Sequence, residues 1–419
     1  MKLSKYAIKI NHSNGNVALF NTRTGSLISI DRSTLDQIES GSVPVAIKDE
    51  LLNRGYIVEK NLDEAMDYVA KVRTYKSTSN KTLSVTIAQS FVCNFNCEYC
   101  FVRKDNYVMS TDIQKSVVTY LLNIYIEQEY TKLKIQWFGG EPLLQINVIE
   151  NVMQELSQAI GSDNIESTIV TNGYLLSGEM YEKIVDLGIN VIQVTIDSDE
   201  ETHNKYRKLK SDQGTYETII NNINGILSLP NHCIINIRIN YFDDNNFNVE
   251  STINDISQNI KSEKVYIQFK PILPFDESSC NKCVDYSDAE MMKLEIENRI
   301  CNSGGASIKL PNPRFQWCSA GTENTLNIGP HGEIYFCKSQ FGHLEKTVGQ
   351  IEEGRLVIND NYAMYSRIDD LSKKCYECSF LPICMGGCKI MRKKYPENCY
   401  WSQETIEKMV LAKLEWTNK

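Results

Sequence analysis

At 419 residues, 42% hydrophobic and 23% charged, the chain has ordinary globular composition and the length of about three domains of ~150 residues, which excludes disorder, collagen-like repeats and a small disulfide scaffold. Forty-four Lys and Arg against 53 Asp and Glu leave a formal charge of −9, so no positive field is available to neutralise phosphates and no nucleic-acid partner is expected. No stretch of ~18 uncharged apolar residues occurs, and the start, MKLSKYAIKINHSNG, lacks the apolar core of a signal peptide, so a cytoplasmic protein with no membrane partner is expected.

Residues 1–80 read as a module of their own. An alternating strand at Tyr6–Ile10 is followed by a hairpin, Val17–Asn21 and Ser26–Ile30, around Thr24-Gly25. Ser33 is expected to cap a short helix over Leu35 and Ile38; a second over Ile47, Leu51 and Leu52 ends at Gly55, before a strand Tyr56–Glu59 and a helix from about Leu62 to Thr74. The whole is winged-helix-like, and the polar run Lys76–Lys81 is the expected linker. From residue 82 apolar β-branched runs near 83–89, 132–137, 166–170, 191–196, 234–240 and 265–270 alternate with helical stretches, giving six βα units. Such repeats favour a parallel sheet with right-handed crossovers, either open and doubly wound or a barrel, with chemistry at the C-terminal strand ends. After Pro274 the pattern fades into a Cys- and Gly-rich region, and a helix at about 403–417 closes the chain.

Fourteen cysteines are many for a reducing compartment, where clustered thiols serve metals or catalysis more often than disulfides. Cys93, Cys97 and Cys100, in CNFNCEYC, follow the first barrel strand. Three thiolates can hold three corners of a four-iron cube and leave one iron open; a zinc site completed by a distant His or Cys, or buried structural thiols, are the alternatives. After the second strand comes Gly139-Gly140-Glu141-Pro142, where paired glycines let a ligand approach exposed backbone N–H and C=O groups. Thr171-Asn172-Gly173 follows the third strand and Asp197-Ser198-Asp199 the fourth, with His203 and Arg207 beyond; polar groups at four strand ends point to one convergent site.

These motifs, in this order on six βα units, resemble the radical S-adenosylmethionine superfamily over about 82–275, whose core is a partial (β/α)6, TIM-like barrel. The resemblance implies a [4Fe–4S] cluster on Cys93, Cys97 and Cys100, chelated at its fourth iron by S-adenosylmethionine, whose reductive cleavage yields a 5′-deoxyadenosyl radical. It implies further that Gly139, Gly140 and Glu141 serve the methionine amino group and that Tyr99 lies along the adenine. Strand-end groups Thr171, Asn172, Thr195 and Asp197 would hold ribose and carboxylate, and Arg207 or Arg238 would pair with the carboxylate. Thr195 stands where relatives often carry Ser before Asp-Gly, and Ser198 replaces that Gly.

Cys318-x13-Gly332-x4-Cys337, then Cys375-x2-Cys378-x5-Cys384-x3-Cys388 and Cys399, suffice for one four-thiolate site plus three ligands of another, or for two zinc ribbons. The spacing resembles the SPASM domain, which implies two auxiliary iron–sulfur clusters. One would take Cys375, Cys378, Cys384 and Cys399; the other Cys318, Cys337 and Cys388, with Cys280, Cys283, Cys301 or an open position as the fourth. Cys233 reads as core, and His12, His232, His331 and His343 as structural or exposed. The module's hairpin and LLNRGYIVE segment resemble PqqD-like peptide-recognition elements, which bind a leader peptide by strand addition; a plain structural cap is the alternative. The expected domains are thus 1–80 (peptide recognition), 81–275 (barrel), 276–317 (bridge) and 318–419 (SPASM).

Together these resemblances imply a maturase that abstracts hydrogen from a ribosomal precursor peptide and forms an intramolecular cross-link, a Cys thioether or a C–C bond, with a reductant such as flavodoxin or ferredoxin. An anaerobic sulfatase maturase is the rival enzyme; its expected Asp base after the Cys equivalent to Cys337 is here Lys338. A zinc-ribbon or electron-transfer module is the rival of another class.

Overall fold

The computed structural model describes residues 1–12, 15–79, 81–230, 233–242, 249–260, 265–275, 283–302, 309–315, 318, 320, 322, 324–365, 371–397 and 399–417. The chain divides into two compact units: residues 1–80, 286–319 and 369–419 form one, residues 81–285 and 320–368 the other.

In the first unit, strand β1 (Lys2–Leu3) is followed by an antiparallel sheet of β2 (Ala7–Asn11), β3 (Val17–Asn21) and β4 (Leu27–Ile30), and β5 (Ile57–Val58) returns to pair with β1. β3 is central, and its two apolar faces both find partners. Val17 and Leu19 meet Leu35, Ile38, Leu51 and Tyr56 of the module itself. Ala18 and Phe20, with Ile8 and Ile10, pack against Leu294, Ile383, Trp401, Ile406, Met409 and Val410 from the C-terminal half of the sequence. Two local expectations change. The first helix, Arg32–Glu39, is capped by Asp31, whose carboxylate accepts the Thr34 N–H at 2.9 Å, while Ser33 lies inside the helix; Asp31 sits at the extended position where a cap belongs. The helix Glu64–Ser79 runs through most of the polar stretch read as a linker, which contains no Gly or Pro to stop it.

In the second unit, β6 (Thr82–Ala88), β7 (Lys132–Phe138), β8 (Ile165–Thr171), β9 (Ile189–Ile196), β10 (Ile234–Tyr241) and β11 (Val265–Pro271) form a parallel sheet with neighbours in sequence order. Each strand adds beside its predecessor, which is the winding of a partial barrel and not of a doubly wound sheet. Helices such as Thr111–Glu127, Ile146–Ile160 and Tyr216–Leu227 link the strands. Alternate strand residues, including Val85, Ile87, Ile135, Trp137, Ile169, Ile192, Val194, Ile237 and Ile239, are buried, as the face under the helices requires. The Cys- and Gly-rich region contributes four strands that its sequence conceals. β12 (Thr325–Ile328) runs parallel to β6 and starts an antiparallel extension through β13 (Glu333–Tyr335), β14 (Thr347–Glu352) and β15 (Arg355–Ile358).

Candidate active site

Beyond β6 the chain forms the cysteine loop, pinned by backbone pairing. Isolated antiparallel bridges join Ser90 to Val108 and Phe95 to Leu209. The Asn96 N–H donates to the Lys208 carbonyl at 2.9 Å and the Lys210 N–H to that of Asn94 at 3.0 Å. Phe95, fully buried, donates its N–H to Cys93 Sγ at 3.4 Å, and Cys93, Cys97 and Cys100 all stand half-buried. Burial pushes the Cys93 thiol up to about 11, helped by Glu141, and the Cys97 thiol up to about 12, against the pull of Arg207. Cys100 adds to the rise in both, and Cys93 to that in Cys97. Three soft donors on one ordered loop fit an iron–sulfur cluster, which would displace the protons that burial otherwise holds.

Gly139 and Gly140 have a duty other than ligand approach. A Cβ on Gly139 would lie 2.3 Å from the Ser90 carbonyl oxygen, and one on Gly140 2.1 Å from that of Val92. The Gly140 and Glu141 N–H groups donate to those same carbonyls at 3.0 and 2.8 Å. The pair therefore lets the end of β7 bind the cysteine loop edge to edge. Glu141, 1% exposed, turns inward and accepts from Leu143 N (3.0 Å), Thr171 Oγ1 (2.7 Å) and Asn172 N (2.8 Å). Burial raises its carboxyl and these bonds oppose the rise. Asn172 also donates through Nδ2 to Asn94 Oδ1 at 2.8 Å, so the ends of β7 and β8 both hold the loop.

On the other side of the loop Tyr99 centres a second network. Its hydroxyl donates to Asp197 and accepts from Arg207 Nη1 at 2.8 Å, while Asn240 Nδ2 donates to Asp197 Oδ1 at 3.1 Å. Asp197 and Arg207 are buried, and burial keeps the Tyr99 phenol well above its usual range. Arg207 is no surface cation: its guanidinium stands 5.5 Å over the Phe95 ring, and its buried Nε has no hydrogen-bond partner. Arg238 reaches only Asn240, donating from Nε to Oδ1 at 2.9 Å. His203 is structural. Its Nδ1 accepts the Asp197 N–H at 3.2 Å and its Nε2 meets Thr215 Oγ1 at 3.0 Å, a hydroxyl that itself donates to the Arg207 carbonyl. Nε2 therefore carries the proton, and burial keeps the ring neutral. Ser198, standing where relatives carry Gly, has φ 57, the left-handed region that favours glycine; its hydroxyl is tied to Thr252 Oγ1 at 2.8 Å.

Thr195 is buried on β9 beside Arg238 on β10. Parallel register sets Gln136, Thr168, Gln193, Asn236, Arg238 and Gln268 on the barrel face opposite the helix-covered apolar residues. Lys338, one residue after Cys337, donates Nζ to Gln136 Oε1 at 2.7 Å. Sequence reasoning missed Asn94, Gln136 and Asn240. Asn240 and Arg238 alternate on one strand and could have been found by period-two spacing; Asn94 and Gln136 carry no local signal.

The C-terminal cysteines are dispersed between the units. In the first, Cys378 is raised by burial and feels Cys375 and Cys399, while Cys384, pushed up to about 12 by burial against the pull of Arg314, feels Cys378 and Cys375. Cys388, whose N–H donates to Tyr286 Oη at 2.9 Å, and exposed Cys318 belong to the same unit, and Cys337 to the second. Cys283 is disulfide-bonded and so no free thiol; Cys280 and His232 lie outside the described residues, as does the Cys301 side chain. Cys233 is core, donating Sγ to the Ile189 carbonyl. His331 stacks on Tyr107 and His343 contacts Glu345. No three His, Cys, Asp or Glu side chains among the described residues converge on a point suited to one metal ion, and no described helix is long and apolar enough to cross a membrane.

Residues 89–255 match the Radical SAM superfamily model. Along nearly its whole length, 98% of this chain and 95% of the relative, the chain is 24% identical to the radical SAM cyclopropyl synthase TigE of Paramaledivibacter caminithermalis. Among solved structures, anSMEcpe with bound AdoMet and Kp18Cys peptide superposes with a TM-score of 0.61 at 18% identity, covering 80% of this chain and 98% of that one. Streptococcus suis SuiB bound to its precursor peptide SuiA does so with a TM-score of 0.55 at 15% identity, covering 96% and 99%. The cysteine loop and the strand-end polar groups from Glu141 to Asn240 all fall within the residues that match the Radical SAM superfamily model.

Proposed function

We propose that this enzyme is a peptide maturase that abstracts a hydrogen from a ribosomally made precursor and closes an intramolecular cross-link, a Cys thioether or a C–C bond. The observation that carries the reading is the clamp on the cysteine loop: Glu141 and Asn172 on one side, Tyr99, Asp197 and Arg207 on the other, around three thiols. Whole-chain similarity to a cyclopropyl synthase and a shared fold with two peptide-bound enzymes support the substrate class.

Cys93, Cys97 and Cys100 would hold a [4Fe–4S] cluster, and with S-adenosylmethionine bound that cluster supplies the hydrogen-abstracting radical. The residues themselves bind and orient. Tyr99 and Asp197 offer a polar edge toward the nucleoside, with Thr195 beside them and Gly139, Gly140, Glu141, Thr171 and Asn172 framing the opposite side. Arg207, with an unpaired buried Nε beside Cys97, is the carboxylate partner in preference to Arg238. Cys375, Cys378, Cys384 and Cys399 would hold one auxiliary cluster, and Cys318, Cys337 and Cys388 would serve the other. In this reading residues 1–80 recognise the leader, 81–275 form the catalytic barrel, 276–317 bridge and 318–419 carry the auxiliary clusters. The enzyme would be cytoplasmic, with a flavodoxin or ferredoxin as reductant.

The anaerobic sulfatase maturase, which forms formylglycine, stands as the rival, and Lys338, a cation bonded to Gln136, occupies the position where that chemistry expects Asp. The test is anaerobic co-expression with a short precursor encoded beside the gene, with Cys93, Cys97 and Cys100 each changed to Ala as controls. Loss of a hydrogen pair per cross-link, only with the triad intact, supports the proposal; an aldehyde at a Cys or Ser supports the rival. In vitro, Tyr99→Phe should keep its iron yet bind S-adenosylmethionine about tenfold more weakly, since one buried hydrogen-bonded hydroxyl is worth ~1–2 kcal/mol; unchanged binding by equilibrium dialysis would remove Tyr99 from the site.

A further inference from the structure

Two cations, Lys338 and Arg238, stand on the inner face of the barrel. Lys338 enters it from the turn after β13, donates Nζ to Gln136 and stands 5.4 Å above the Phe138 ring, Gln136 and Phe138 being alternate residues of β7. Arg238 lies on the inward face of β10 and donates only to the Asn240 amide oxygen. Neither cation has an ion pair with a carboxylate among the described residues.

Glu141 is held by three donors, and Asp197 by Tyr99 and Asn240, with both Arg207 and Arg238 near enough for their charges to act on it. Lys134 and Glu166, at the opposite end of the same face, pair with each other at 2.8 Å. Two half-buried cations whose hydrogen bonds go only to neutral amides, inside a chain of net charge −9, leave donors that an incoming carboxylate would satisfy.

We infer that Lys338 and Arg238 select a substrate bearing an Asp or Glu side chain beside the residue it presents for hydrogen abstraction. This rests on the peptide reading above. Arg238 supplies a planar two-point contact and Lys338 a point charge, while Arg207 remains with S-adenosylmethionine.

The test uses the full-length, cluster-loaded enzyme saturated with S-adenosylmethionine. The probes are heptapeptides Ala-Gly-Ala-Xaa-Ala-Gly-Ala with Xaa as Asp, Glu, Asn or Gln, together with glutarate, and binding is read by calorimetry at low salt. The acidic peptides should bind about tenfold more tightly than their amide isosteres. That preference should vanish in Lys338→Met and persist in Lys338→Arg, with iron content and melting temperature showing that both variants are intact. Equal binding of acid and amide peptides overturns the inference and leaves the peptide reading standing. Displacement of S-adenosylmethionine by the acidic peptides also overturns it, since the cations would then serve the cofactor's carboxylate. Lys338-dependent binding of glutarate as tight as that of the Glu peptide upholds the anion site and counts against a peptide substrate.

Discussion

A methyl group at residue 140 would penetrate the Val92 carbonyl, 2.1 Å away, and backbone cannot yield as a flexible side chain does. Gly140→Ala must therefore push the cysteine loop off β7, breaking the bonds from Gly140 N and Glu141 N. Overpacking of this kind costs ~1–3 kcal/mol, and the variant should melt lower and bind less iron at the triad. Gly225→Ala is the control: it meets nothing within 4 Å inside the helix Tyr216–Leu227 and should leave stability level or raise it by up to ~1 kcal/mol. Equal iron in both variants, measured after anaerobic reconstitution, would show that the contact does not shape the loop. At this scale the sequence marked Gly139 and Gly140 for the approach of a ligand, and the structure adds the approach of backbone. Two glycines after a strand announce a close approach, and nothing local says whether ligand or backbone approaches. Likewise an i, i+4 pair of His203 and Arg207 looks alike whether it faces substrate or, as His203 does, props the end of β9.

Elements were legible in proportion to their length. The six barrel strands have seven or eight residues each, long enough for β-branched runs to stand out, whereas β12 and β13 have four and three and are built around a tight turn. That turn is closed by a buried carboxylate. Glu333 accepts from the His331 N–H at 2.7 Å and the Tyr335 hydroxyl at 3.1 Å, and burial raises it from 4.5 to about 7. The folded chain thus binds this proton more tightly than the unfolded one. Its stabilising contribution is complete below about pH 4.5 and is lost as pH rises through about 7, amounting to about 3 kcal/mol in all. Glu333→Gln removes the titration, so thermal melts of wild type and variant should draw together or cross between pH 5 and pH 8. Parallel melting curves across that range would show that Glu333 stays ionised within the turn.

At the scale of the molecule, local periodicity could not reveal that residues 1–80 share a core with segments more than two hundred positions away. A strand signals that it has apolar faces but not what covers them, and β3 and β2 find Ile383, Trp401, Ile406, Met409 and Val410. The attachment extends to the auxiliary cysteines: Lys5 Nζ donates to the Tyr376 carbonyl and Thr22 Oγ1 to that of Ser379, both at 2.6 Å, on either side of Cys378. A module merely appended for peptide recognition could be removed without harm to the rest. Here, a chain beginning at Lys81 would strip Ile8, Ile10, Ala18 and Phe20 from that core. At ~1.5–3 kcal/mol for each large side chain, the loss consumes much of the 5–15 kcal/mol that holds a typical domain together. The truncated protein should keep amide protection in β6–β11, lose it in the helix Gln403–Thr417, and retain iron only at the triad. Full protection of that helix in hydrogen exchange, with auxiliary iron intact, would instead make the module dispensable to the fold and leave peptide recognition as its sole task.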